Sequence, residues 1–137
     1  MNGPPKPPEL AKLWVEKAEN DYKAVQNLLK MGGDCPFDVV CFLAQQCIEK
    51  YLKSRLVYLS IEFPKTHEIE GLIKRLPPGL AIPLTPAEQE KMTNYAWMGR
   101  YPGNWEPLTG QQAEEAAALA AKVRTAIRAS LPKEVLK

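Results

Sequence analysis

Five polar side chains lie within an otherwise apolar stretch in the first half of the chain: Gln45, Gln46, Glu49, Lys50 and Lys53. If this stretch is a helix, positions 46, 49, 50 and 53 share one strip, because residues three and four apart are neighbours. A glutamine, an acid and two lysines there could bind a phosphate or a polar partner. The alternative is a solvated face with an ordinary Glu49–Lys53 pair that contributes only about 0.2–0.5 kcal/mol. Spacing alone favours that alternative.

A second candidate group surrounds residue 100. Arg100 and Tyr101 stand at the predicted end of a helix, and Trp105 follows in a turn-rich loop. Arginine can contact a phosphate with two hydrogen bonds, and an aromatic ring can stack on a nucleobase. Exposed aromatic residues beside arginine are also typical of protein interfaces. In a third interpretation, Tyr101 and Trp105 close the core while Arg100 caps helix carbonyl groups. The sequence supports the three interpretations equally.

Histidine and cysteine add little further chemistry. His67 is the only histidine and is predicted in the first turn of a helix, where capping or packing is the commoner role. Cys35, Cys41 and Cys47 are spaced like neither a zinc site nor a redox pair, and in an apolar helix such thiols pack as small hydrophobes. Nucleophile motifs and glycine-rich phosphate loops are absent from the sequence. We therefore expect no catalytic residue, no metal and no cofactor.

The elements that must position these residues are helices. Apolar residues recur at three- and four-residue steps, and the first helix, from Glu9 to the stop at Gly32-Gly33, has this predicted stripe: Leu10, Trp14, Ala18, Tyr22, Val25 and Leu29. The second helix, Phe37 to Ser60, is apolar nearly all round in its first half and needs cover on two sides, one of which a second copy could provide. A short helix follows the capping residue Thr66, and two further helices begin at capping boxes.

These segments predict an all-α protein, an up-and-down four-helix bundle with a short extra helix. We expect a flexible proline-rich leader over residues 1–8, the bundle over 9–131 and a C-terminal tail over 132–137. The net charge of +2 is too near zero to argue for nucleic acid or a membrane. No apolar stretch has the length of a membrane span, and an odd number of cysteines without a signal peptide fits a reducing, cytoplasmic location.

Several motifs together resemble the HEPN family of helical bundles. The run from Phe42 to Lys53 is similar to the family's signature helix, in which an alanine, two glutamines and a Glu-Lys pair precede an alkyl-rich segment. Pro64 with Thr66 and His67 resembles the proline-threonine-histidine start of the next helix, and the segment 100–102 resembles the arginine-tyrosine-proline ending before the last helix. The motifs occur in order, and the resemblance covers about residues 10–128.

The resemblance implies a four- or five-helix up-and-down bundle that is usually a homodimer. Members of the family occur beside minimal nucleotidyltransferases in two-gene operons that often behave as toxin–antitoxin pairs, and the family name reflects a proposed nucleotide-binding role. Arg100 and Lys50 would then contact phosphate, and Tyr101 would stack on the base. The residues expected to line this nucleotide- or partner-binding site are Gln45, Gln46, Glu49, Lys50, Lys53, His67, Arg100 and Tyr101.

The sequence departs from the family's ribonuclease motif, an arginine followed after four to six residues by a histidine. No arginine of this chain has a histidine at that distance. Histidine is the natural acid or base for RNA cleavage near neutral pH, so its absence disfavours catalysis. The sequence thus favours a non-catalytic, homodimeric partner of a minimal nucleotidyltransferase, with a nucleotide or RNA as a further ligand. The alternatives are a divergent ribonuclease that uses Arg100, Tyr101 and His67, and a purely structural helical scaffold.

Overall fold

Helices account for all the regular secondary structure in the part of the chain that the computed structural model describes, residues 3–137. The four long helices are α1 (Pro7–Leu29), α2 (Phe37–Tyr58), α4 (Pro86–Met98) and α5 (Gly110–Ser130). A 3-10 turn (Gly32–Asp34) joins α1 to α2, α3 (Ile69–Arg75) precedes α4, and α6 (Lys133–Leu136) ends the chain. The prediction of an all-α bundle with a short extra helix is confirmed.

Helix α2 is the centre of the bundle, as its apolar breadth predicts. It packs against α1, α5, α4 and α3, and its fully buried apolar residues include Val40, Ala44, Ile48 and Leu52. Capping boxes fix the starts of the two later helices. The Thr85 hydroxyl accepts a hydrogen bond from the amide of Glu88, and Thr109 does the same for Gln112. These caps satisfy amides that have no partner within their own helix, so both predicted helix starts are confirmed.

The apolar stripe predicted for α1 is partly wrong. The buried residues of α1 are Ala11, Val15, Ala18 and Val25, so the buried face begins one position after Leu10, which lies at the surface. The centre of the true stripe consists of small residues, which allow close approach to α2. Larger neighbours of this stripe, such as Trp14, are only half covered.

Helix α2 ends at Tyr58 rather than at the predicted Ser60, and the boundaries differ from the prediction at three further places. Helix α1 already begins at Pro7, inside the predicted leader, of which Met1 and Asn2 lie outside the described residues. Helix α3 begins at Ile69, so the prediction of Thr66 as its cap and His67 in its first turn is wrong. The Thr93 hydroxyl of α4 caps the helix instead, because it accepts a hydrogen bond from the Ile69 amide at 2.9 Å. The predicted tail forms α6, whose buried Val135 packs in the core, and α6 lies against α1.

No helix within the described residues has both the length and the apolar character of a membrane span.

Candidate functional site

A buried carboxylate organises the polar residues of α2. Glu49 is only 4% exposed, and both of its oxygens have partners. Its Oε1 accepts hydrogen bonds from the Gln45 side-chain amide at 3.2 Å and from His67 Nδ1 at 2.8 Å. Its Oε2 accepts from the Lys53 ammonium group at 3.0 Å. A carboxylate acceptor places the proton of His67 on Nδ1, so Nε2 is the imidazole nitrogen that remains uncommitted.

The ammonium group of Lys53 is enclosed as well as paired. It lies 5.5 Å from the ring centre of Trp14 and 5.6 Å from that of Phe63. Two aromatic faces therefore cover the sides of the ammonium group that do not contact the carboxylate. Such cation–π contacts compensate part of the lost hydration. The prediction of a solvated Glu49–Lys53 pair is therefore wrong, because both side chains are buried.

The two glutamines complete this cluster. The Gln46 side-chain amide donates to Gln45 Oε1 at 2.6 Å, and Gln45 Nε2 also donates to the His67 carbonyl oxygen at 3.2 Å. The chain segment before α3 is thereby fastened to α2. We call the group formed by Gln45, Gln46, Glu49, Lys53 and His67 the Glu49 network. Its side chains are buried except for the imidazole, which is 37% exposed.

Lys50 does not belong to this network. Its ammonium group forms an ion pair with the Asp21 carboxylate of α1 at 2.7 Å. Arg100 packs against a different part of α2, where its guanidinium carbon lies 5.0 Å from the ring centre of Phe42. Phe42 and Lys50 are separated by eight residues, which is about 12 Å along a helix axis. The structure therefore separates the two cations that the sequence analysis assigned to one phosphate.

An open cleft of about 620 Å³ lies between the first turn of α2 and the segment from Met98 to Leu108. We call it the aromatic cleft. Its wall includes three aromatic side chains and three charged ones: Phe37, Tyr101, Trp105, Asp38, Arg100 and Glu106. A volume of this size is typical of small-molecule sites. Among residues 3–137 none of the three charged side chains forms an ion pair, so their charges remain available to a ligand.

The aromatic residues of this region are exposed. Trp97 and Tyr101 stack on each other with ring centres 5.8 Å apart, and Tyr101 is 55% exposed. Trp105 is 42% exposed. The interpretation in which Tyr101 and Trp105 close the core is therefore wrong. The two remaining interpretations of these residues, a nucleotide contact and a protein interface, both require exposed rings.

Three glycines allow the backbone to close onto aromatic rings around the cleft. A Cβ atom at Gly99 would clash with the ring of Phe42, and one at Gly103 would clash with the ring of Trp105. A Cβ at Gly110 would lie 3.2 Å from the ring of Phe37. The positions of the cleft walls thus depend on glycine at the end of α4, in the loop and at the start of α5.

A third polar cluster, which was not predicted from the sequence, lies at the junction of α1, α2 and α5. The Glu19 carboxylate accepts two hydrogen bonds from Arg124, at 2.7 and 2.8 Å, and one from the Tyr51 hydroxyl. Burial raises the pKa of Glu19, but the hydrogen bonds from Arg124 and Tyr51 and the charges of Arg124 and Arg128 outweigh it, so the pKa lies below its ordinary value. The cluster joins residues 105 positions apart, and helix periodicity contains no signal for such a contact.

The three cysteines are free and buried, which confirms that they pack as small hydrophobes. Burial raises the pKa of Cys41 to about 12 and also raises that of Cys47, so neither is a ready nucleophile. Within the described residues no three His, Cys, Asp or Glu side chains are grouped as metal ligands would be.

Comparison with known proteins identifies the family. The model of the HEPN domain family matches residues 11–130. Among solved structures, the chain is similar to the crystal structure of TT1696 from Thermus thermophilus, with 28% sequence identity and a TM-score of 0.75. That similarity covers 88% of this chain and 98% of TT1696. The comparison with curated proteins gave no match. Because the family model covers most of the chain, this protein belongs to the HEPN family.

Proposed function

We propose that the protein is a non-catalytic, homodimeric HEPN module that binds a nucleotide in the aromatic cleft and partners a minimal nucleotidyltransferase in the cytoplasm. The observation that carries the proposal is the aromatic cleft itself. It combines an arginine that forms no ion pair within residues 3–137 with exposed tyrosine and tryptophan rings. Stacking rings and a guanidinium group are the contacts that a nucleotide's base and phosphate need.

The residues expected for this site lie in three places. Arg100 and Tyr101 line the cleft, and Lys50 pairs with Asp21 of α1. The other five form the Glu49 network, which is buried except for the imidazole: Gln45, Gln46, Glu49, Lys53 and His67. We therefore assign phosphate contact to Arg100 and base stacking to Tyr101, with Trp105 as an additional stacking residue. The Glu49 network then supports the fold around α2 rather than the ligand directly, since a buried and fully paired carboxylate offers a ligand little.

The homodimer is supported by an exposed apolar surface next to the cleft. On α2, Val39 is 40% exposed, and the neighbouring Phe42 and Leu43 are only half buried. The exposed Trp97 of α4 stacks on Tyr101, and Arg100, two residues after the end of α4, covers the ring of Phe42. Contiguous apolar and aromatic surface of this kind is typical of protein interfaces. We propose that a second copy of the chain covers it.

Isothermal titration calorimetry with nucleoside phosphates tests the nucleotide part. We expect binding by the wild type and a loss of about tenfold in affinity for Arg100→Ala, since a charge-assisted contact to phosphate is removed. Arg75→Ala is the matched control, because Arg75 is an exposed arginine at the end of α3, outside the cleft. No heat from any nucleotide at protein concentrations well above micromolar would contradict this part of the proposal.

Sedimentation velocity tests the homodimer. Val39→Glu and Trp97→Ala should shift the protein toward the monomer, because each removes apolar contact area from the proposed interface. Met31→Glu serves as the control, since Met31 is an exposed apolar residue after the end of α1. A wild type that sediments as a monomer at all concentrations would contradict the proposed dimer.

Coexpression with a minimal nucleotidyltransferase tests the protein partnership, which rests on family membership. We expect the two proteins to copurify at a fixed ratio. The partnership would be contradicted if no minimal nucleotidyltransferase encoded beside the gene for this chain copurified with it. The nucleotide and dimer proposals would not be affected.

The Glu49–His67 contact favours a second candidate function, a divergent ribonuclease. A carboxylate that holds Nδ1 of an exposed imidazole leaves Nε2 free to accept or donate a proton. This candidate predicts cleavage of mixed RNA by the wild type and loss of cleavage in His67→Gln and Arg100→Ala. A purified wild type that leaves mixed RNA intact would contradict it.

A further inference from the structure

Two of the three charged side chains that line the aromatic cleft are carboxylates, which only accept hydrogen bonds. Asp38, at the second position of α2, and Glu106, in the loop before α5, both line the cleft at positions that solvent reaches. Among the described residues Arg100 is the only cation in the wall, so the charged side chains that line the cleft sum to one negative charge. A ligand that presents N–H groups to one of these carboxylates and places little negative charge near Arg100 therefore matches the charges of the cleft.

We propose that the aromatic cleft is selective for guanine nucleotides with a single phosphate. This inference rests on the proposed nucleotide binding and specifies its ligand. The guanine ring stacks among Tyr101, Trp105 and Phe37. A carboxylate of Asp38 or Glu106 accepts hydrogen bonds from the guanine N1–H and N2 amino groups. The phosphate lies at Arg100.

Elementary base chemistry distinguishes guanine from the other bases at such a carboxylate. Guanine has two adjacent donors, N1–H and the N2 amino group, which match the two oxygens of one carboxylate. Adenine and cytosine each place a ring-nitrogen acceptor beside their single amino group, and that lone pair would face the carboxylate. Uracil places a carbonyl oxygen on each side of its N3–H. Because a bound base displaces water from that carboxylate, an unpaired acceptor that faces it is costly, and these bases bind more weakly.

The charge of the cleft sets the preference for one phosphate. A monophosphate adds about two negative charges near a single arginine, whereas a triphosphate adds about four. Arg100 cannot neutralise the longer chain, and Asp38 and Glu106 repel it. We therefore expect GMP to bind more tightly than GTP, the reverse of the order in sites with several cations.

Calorimetric titration of the protein with a set of nucleotides tests the inference. GMP should bind at least about tenfold more tightly than AMP, CMP or UMP. It should also bind more tightly than GTP. Inosine monophosphate is the matched ligand, because it keeps N1–H but lacks the N2 amino group, and it should fall between GMP and AMP. In Asp38→Asn or Glu106→Gln the advantage of GMP over AMP should fall to less than about threefold. Glu114→Gln, an exposed acid of α5 outside the cleft wall, should leave that advantage unchanged.

The possible results separate this inference from the proposed function. Equal affinity for GMP and AMP would overturn guanine selectivity while leaving nucleotide binding in place. A preference for GMP that survives in both carboxylate variants would overturn the assignment to Asp38 and Glu106. Tighter binding of GTP than of GMP would overturn the charge argument. No binding of any nucleotide by a folded wild type would overturn the proposed nucleotide binding and, with it, this inference.

Discussion

The Glu49 network and the aromatic cleft contain similar residue types, but the charges of the network are paired and mostly buried, whereas those of the cleft are exposed and unpaired among the described residues. In the network, the carboxylate of Glu49 contacts Gln45, Lys53 and His67, and all of these side chains except His67 are buried. In the cleft, Arg100 and the two carboxylates have no ion-pair partner within residues 3–137, and the rings beside them are exposed. The network thus matches the scaffold alternative of the sequence analysis, whereas the cleft matches the binding alternative.

Residue type and motif membership thus do not distinguish the paired charges of the network from the unpaired charges of the cleft. Both regions contribute to the motifs that resemble the HEPN family, and both contain an acid and a cation. What separates them is whether the fold satisfies their charges. Buried charges are stable only when they are paired, so substitutions in the network should act on folding and substitutions in the cleft on affinity.

The largest effect is expected from Glu49→Ala. It leaves the ammonium group of Lys53 buried without its carboxylate and should lower the free energy of unfolding by about 3–5 kcal/mol. Urea denaturation, monitored by circular dichroism, measures this loss of stability. The double variant Glu49→Leu, Lys53→Met removes both charges and should recover most of the loss. A double variant no more stable than Glu49→Ala would contradict the view that the unpaired charge is the cause.

Glu19→Gln tests whether the junction of α1, α2 and α5 behaves like the network. Loss of charge-assisted bonds to Arg124 should lower the free energy of unfolding by about 1.5–3 kcal/mol at neutral pH. Because the folded-state pKa of Glu19 lies below the ordinary value of 4.5, its contribution is complete above pH 4.5 and is lost as pH falls through the folded-state pKa. Urea midpoints between about pH 7 and pH 3 should therefore converge for the two proteins at the acid end. A difference that stays constant with pH would contradict this linkage.

Gly99→Ala tests the backbone that positions the walls of the cleft rather than the side chains proposed to contact the ligand. The new methyl group clashes with the ring of Phe42, so the end of α4 must move. We expect a loss of about 1–3 kcal/mol in the free energy of unfolding, as for an overpacked core, together with weaker nucleotide binding. Gly79→Ala is the control, because a Cβ there meets no atom within 4 Å. Unchanged affinity in a destabilised Gly99→Ala would show that the frame does not position the binding residues.

The smallest effect on stability is expected from Arg100→Ala. The residue is exposed and its guanidinium group contacts only one face of a half-buried ring, so the free energy of unfolding should change by less than about 0.5 kcal/mol. Lys91→Ala, which removes an exposed pair with Glu115, gives a reference of similar size in the same urea titration. A loss as large as that of Glu49→Ala would remove the distinction between cleft and network.

Much of the fold could be predicted from the sequence because helices carry local signals. Capping boxes at Thr85 and Thr109 and the apolar breadth of α2 indicated two helix starts and the centre of the bundle. The register of the α1 stripe was wrong by one position at Leu10, because alanines and valines rather than the largest apolar residues form its buried face. The start of α3 depends on Thr93, which lies 24 residues after the amide it caps.

Less of the candidate site could be predicted. Sequence patterns predict polar residues at the surface, but Gln45 and Glu49 are buried because His67, from a later segment, supplies part of their hydrogen bonding. The pairing of Lys50 with α1 could not be foreseen, since it depends on how two helices cross. Arg100 and Tyr101 were identified as candidates from their chemistry, whereas Asp38 joined them only through the three-dimensional arrangement of the cleft.

A titration of isotope-labelled protein with GMP, followed by two-dimensional proton–nitrogen NMR, tests the central claim most directly. The tryptophan indole N–H signals report on the two regions separately, since Trp105 lines the cleft and Trp14 covers Lys53 in the network. We predict that the Trp105 indole and the backbone amides of residues 99–106 shift with GMP, while the Trp14 indole and the side-chain amides of Gln45 and Gln46 do not. Shifts concentrated at Trp14, Gln45 and Gln46 with an unaffected Trp105 would contradict the account.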